Sequence, residues 1–113
     1  MTKRRSWTGL VALASLVAAC SPTVGGPPPP LSPASAEGAK QRWPDATPES
    51  LEQGRKTFLA KCSACHGYPA LAAHSDAEWG PIVDDMGKKA KLDDAAREQV
   101  LRFVLASRTA QAR

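Results

Sequence analysis

Apolar residues recur at spacings of three and four along three stretches of this chain, and no stretch alternates with the period of two that marks a strand. The first stretch opens at Thr47-Pro48, a threonine N-cap followed by proline at the first helical position. From there Leu51, Gly54, Phe58, Leu59 and Cys62 share one face. Gly54 weakens a helix relative to alanine, so its presence predicts a second helix crossing closely at that point. The second stretch opens with Ser75-Asp76-Ala77-Glu78, a capping box. Trp79, Ile82, Val83, Met86 and Ala90 then form an apolar stripe. Pro81 predicts either a kink or a true start after Gly80, and Gly87 an early end or a close contact. The third stretch begins near Asp93, with Asp94 in its first turn. Val100, Leu101, Val104 and Leu105 form its buried face, with Phe103 at the edge. The class is all-α, with about three helices.

The remainder of the chain reads differently. Residues 1–19 carry Lys3, Arg4 and Arg5 ahead of a short apolar run, Leu10 to Ala19, too brief to span a bilayer. This is a signal peptide. It ends at Val17-Ala18-Ala19-Cys20, which resembles the lipobox of bacterial lipoproteins. That resemblance implies cleavage before Cys20, acylation of Cys20 and a place in the bacterial cell envelope, with the folded part held outside the cytoplasmic membrane. Residues 20–42 read as the lipidated N-terminus and a proline-rich linker. Gly25 to Pro30 and the small residues after it lack the periodicity of a core-forming segment. A free coil of about 22 residues would have a root-mean-square span of roughly 25 Å. The folded domain is expected over residues 43–113.

Charge changes the picture once cleavage is considered. The chain has 15 Lys+Arg against 11 Asp+Glu. Removing Lys3, Arg4 and Arg5 leaves 12 against 11, a mature net charge of +1. The basic balance therefore belongs to the targeting segment and gives no argument for nucleic-acid binding. Size adds a second constraint. A domain of roughly 70 residues seldom buries enough apolar surface to be stable without a staple.

Cys62-Ser63-Ala64-Cys65-His66 supplies the candidate. Two cysteines separated by two residues, with a histidine directly after the second, form the attachment motif for haem c. Each thiol can make a thioether to a porphyrin vinyl group, and the histidine can offer its imidazole to the iron. The residues alone leave two alternatives open. One is a Cys62–Cys65 disulfide, because the chain is exported. The other is a zinc site of Cys62, Cys65, His66 and His74. The first lacks the βαβ setting of a redox pair, and the second lacks the usual histidine spacing. With Cys20 assigned to lipid, the haem reading uses all three cysteines.

With these motifs in place, residues 47–108 resemble a class I cytochrome c, a small monohaem electron carrier. Gly54-x-x-x-Phe58 resembles that family's first helix, and Phe103-Val104-Leu105 its last. Trp79-x-x-x-Val83-x-x-Met86 resembles the stretch bearing the distal methionine. The chain departs from the family in Pro81, in the short interval from 66 to 86, and in the long linker. The resemblance implies one covalent haem c held by Cys62 and Cys65. His66 would be its proximal ligand, Met86 its distal ligand, and Trp79 would pack against it. It further implies single-electron exchange with redox-partner proteins, with no catalytic residues and no enzymatic activity of the chain's own. A subunit of a dehydrogenase or oxidase, and a haem protein with an open sixth position, are the alternatives. His74, on a loop, is expected to be exposed. Tyr68 is expected at a propionate or on an exposed loop, and Pro69 either helps to place the carbonyl facing His66 or is only part of a turn. Lys88, Lys89 and Lys91 are either a docking patch or a solvated helix end.

Overall fold

The computed structural model describes residues 25–64 and 66–113; the signal segment, Cys20 and Cys65 lie outside the described residues. Four α-helices are present: α1 (Pro33–Arg42), α2 (Pro48–Thr57), α3 (Asp76–Lys89) and α4 (Asp94–Gln111). A π-helical turn, Phe58–Cys62, continues α2, and a 3-10 turn, Leu71–Ala73, precedes α3. No strand occurs among the described residues.

Each expected helix start holds. Thr47 accepts from the backbone N–H of Ser50, whose side chain accepts from the Thr47 N–H in return. Ser75 and Glu78 form the same reciprocal pair at α3, and Asp93 caps α4 through Ala96. These side chains satisfy amide groups that have no partner within the helix.

The α2–α4 crossing organises the fold. A Cβ added at Gly54 would fall 2.1 Å from the Gln99 carbonyl oxygen, so the two backbones meet there and only glycine fits. Phe58, one turn on, packs its ring 6.2 Å from that of Phe103. Leu51, Phe58, Val100, Phe103 and Val104 are all fully buried. Phe103, expected at the edge of its helix, is 0% exposed, whereas Leu101 is only half-buried. Facing α2 at Gly54 rotates the buried stripe of α4 by one position.

Helix α3 runs unbroken through Pro81. Ala77, whose carbonyl loses its usual donor, is exposed, and so is Pro81, leaving that oxygen open to water. Gly87 marks a close contact within the helix, because an added Cβ would lie 2.5 Å from the Arg97 side chain. The helix ends two residues later in a Schellman motif. Leu92 N–H reaches the Gly87 carbonyl at 2.8 Å and Lys91 N–H that of Lys88 at 3.0 Å, with Lys91 at φ 60°.

The chain before residue 43 departs from the linker reading. Ser32 caps α1, and Ala36 and Ala39 bury against Leu51 and Ala106. Trp43 packs against the same cluster and lies between the guanidinium groups of Arg42 and Arg102, at 4.7 and 5.9 Å. The helix was hidden because alanine carries almost no periodic signal. Its stability comes from two small side chains that let α1 approach α2 and α4 closely.

Candidate functional site

The motif follows directly from the α2–α4 crossing. The π turn adds a residue to the last turn of α2, a local rearrangement often found at functional sites. It leaves Leu59 and Cys62 half-buried where Phe58 is fully buried. Burial pushes the Cys62 thiol above its ordinary pKa, so it is protonated at neutral pH. A zinc ligand would have to lose that proton against the burial. Cys62 has no disulfide partner among the described residues.

His66 is exposed, and its Nδ1 lies 3.0 Å from the Gly67 carbonyl. With the proton on Nδ1, that nitrogen donates to the carbonyl and Nε2 keeps a lone pair for a metal. The carbonyl is thus that of Gly67, and the role expected of Pro69 does not arise. Tyr68 is half-buried, neither exposed nor free. Its ring stacks on Phe58 at 6.2 Å and 19°, and its hydroxyl points at the Leu59 carbonyl, 3.5 Å away. It therefore braces the loop after the motif against the end of α2.

Trp79 is buried in the protein core, with its indole N–H donating to the Leu71 carbonyl at 3.1 Å. This bond ties the 3-10 turn to α3. His74 is half-buried, not exposed, and meets the Trp79 ring edge-on at 5.4 Å. Met86 shares the stripe of Trp79 and Val83 in sequence, yet it is 40% exposed while those two are buried. Among the described large hydrophobic residues it stands out for that exposure. Lys88 and Lys89 pair with Asp84 and Asp85 at 2.6 and 2.8 Å, one helical turn back. They form a solvated, internally paired helix end.

Charged contacts absent from the sequence reading lock this region from the opposite side. Asp76 receives Arg42 at 2.9 Å and Arg108 at 2.8 Å, joining the end of α1, the start of α3 and the last turns of α4. Arg108 also donates to the Leu71 carbonyl. These two guanidinium groups hold the Asp76 carboxyl below its ordinary pKa, Arg108 more strongly. Only the basic residues near helix C-termini hinted at this, and pairings 32 and 34 residues apart leave no local signal.

A scan of protein-family models, curated proteins and solved structures finds no match to this chain. The geometry must carry the argument. No cluster of three or more His, Cys, Asp or Glu suited to a metal ion occurs among the described residues, of which Cys65 is not one. The donor set fits a haem c in its chemistry. It offers a half-buried thiol, an exposed imidazole with its Nδ1 held by a backbone carbonyl, and a thioether kept out of the packed core. The two larger surface grooves, about 410 and 440 Å³, lie beside α1 and are lined by none of these residues.

Proposed function

We propose that this chain is a membrane-tethered monohaem c-type cytochrome that passes single electrons between partner proteins outside the cytoplasm. The observation that carries the reading is the position of Cys62, which opens the motif Cys62-Ser63-Ala64-Cys65-His66, at the end of the helix that crosses α4 at Gly54. That crossing, with Phe58 packed on Phe103, ties the start of the motif to the fully buried core. A bound haem c supplies a one-electron Fe(III)/Fe(II) couple. The chain's own residues do the rest. Cys62 and Cys65 attach the group, the Gly67 carbonyl orients the His66 imidazole, and Tyr68 braces the loop between them and α3. Lipidation at Cys20 and the signal peptide 1–19 are part of the same proposal and lie outside the described residues.

The exposure of Met86 favours a second reading, a haem protein with an open sixth position that binds a small gas or peroxide. Spectra of the holoprotein separate the two. Haem that stays on the polypeptide under denaturing conditions and is lost in Cys62→Ser/Cys65→Ser supports the attachment. Low-spin ferric spectra that change in Met86→Ala but not in His74→Ala support the carrier. Carbon monoxide binding by the unmodified protein supports the open site, and a chain that retains no covalent haem refutes both.

A further inference from the structure

We propose that the proline-rich segment is a docked strap which holds the loop following the haem motif close to the membrane, so that this loop faces a partner embedded in the bilayer. The inference rests on the lipid anchor at Cys20 and deepens the reading above. A chain of contacts runs through the segment. At its start, a Cβ on Gly25 would fall 2.8 Å from the Pro69 carbonyl oxygen and 2.9 Å from the Ala70 Cα, so the strand of chain lies against the loop's backbone. Pro28 is buried, and its carbonyl accepts from Arg55 Nε of α2 at 3.0 Å. Arg55 is itself held by Glu52 at 2.9 Å. Leu31 packs against both core clusters, and Ser32 then caps α1.

The consequence is a much shorter tether. As a free coil, residues 21–42 would let the domain wander over tens of ångströms. With the strap docked from Gly25 onward, only the five residue steps from Cys20 to Gly25 remain, a reach of at most about 18 Å. Gly25 lies beside Pro69 and Ala70, three and four residues after His66. The tether is therefore rooted at the loop that carries the proximal histidine, and not at the distant end of the domain. A partner embedded in the same bilayer meets that loop at once, whereas one approaching from the aqueous side meets the opposite surface. Proline suits the device, since its fixed φ limits the entropy lost on docking.

The test uses the full-length acylated holoprotein on phosphatidylethanolamine–phosphatidylglycerol vesicles containing a gadolinium-chelating lipid. A nitroxide placed at exposed Ala72 through an unnatural amino acid reports its distance from the lipid surface by relaxation enhancement. The unaltered strap should give strong enhancement. Arg55→Ala and Gly25→Val should each weaken it severalfold with helix content unchanged, as should eight Gly/Ser residues inserted after Val24. If the segment is a free spacer, the two substitutions change nothing, and the insertion extends a 22-residue coil by only about a sixth; that pattern overturns the proposal. A protein that stays off vesicles with Cys20 intact overturns the lipid reading and the strap's consequence with it. Loss of haem alone, with the relaxation pattern intact, overturns only the cytochrome reading.

Discussion

Gly54→Ala sets two opposed effects against each other, and their magnitudes decide the outcome. In an exposed helix this change is favourable by about 1 kcal/mol, because alanine loses less backbone freedom on folding. At Gly54 the added methyl would sit 2.1 Å from the Gln99 carbonyl oxygen, 2.6 Å from its carbon and 3.1 Å from the Phe103 Cβ. Two of those three atoms are backbone of α4 and cannot rotate away. The helices must separate by about 1 Å, which loosens Phe58 against Phe103 along with the fully buried Leu51, Val100 and Val104. Overpacking of this kind costs about 1–3 kcal/mol, with the upper end expected where backbone is the obstacle. The net expectation is a loss of about 1–2 kcal/mol, or roughly 5–15 °C in Tm for a domain of this size. Gly38→Ala in α1 is the control. Nothing lies within 4 Å of its added Cβ, so it should gain the roughly 0.5–1 kcal/mol of propensity unopposed. Urea and thermal unfolding of both variants, followed by far-ultraviolet circular dichroism, give the comparison. Equal stabilisation by the two alanines would show that α2 and α4 do not meet at Gly54.

Further outcomes follow from single contacts. Trp79→Phe keeps an aromatic ring but removes the indole donor to Leu71 together with part of a fully buried side chain, and should cost at least about 1–2 kcal/mol in urea unfolding. An unchanged midpoint would remove that bond from the account of how the 3-10 turn is held. Lys91→Gly relieves a left-handed residue at the end of α3 and should stabilise by up to about 1 kcal/mol; destabilisation would contradict the Schellman geometry. Asp76, with its folded pKa lowered, contributes stability that is present above the ordinary carboxylate value near 4 and is lost as pH falls through the folded value. Its side chain is 44% exposed, so the contribution is at most about 1 kcal/mol. The stability gap between the unmodified protein and Asp76→Asn should close as pH drops from about 5 to 2, and a gap that widens would reverse the assignment.

What the sequence by itself determined is local. An N-cap signal occupies at most four consecutive residues, so the starts of α2, α3 and α4 could be read at Thr47, Ser75 and Asp93. Apolar spacing supplied most of the buried stripe, and Gly54 announced a crossing because its helical cost needed an offset elsewhere. The motif Cys62-Ser63-Ala64-Cys65-His66 is equally local, five residues whose types and order carry the proposed haem attachment. Tertiary structure alone decided what depends on partners distant in the chain. Helix α1 lacked a visible pattern because alanine buries little area, yet its closeness to Leu51 and Ala106 is what that smallness permits. The strap from Gly25 to Leu31 reads as a spacer until Arg55 and the Pro69–Ala70 backbone are seen to receive it. Met86 shows the same limit. Its helical phase places it near Trp79 and Val83, but the stripe that is buried runs through Trp79, Val83 and Gly87, with Arg97 of α4 packed on Gly87, and Met86 lies one position to its side. Phase along a helix fixes which residues share a side; the line along which the neighbouring helix crosses that side decides which of them it covers.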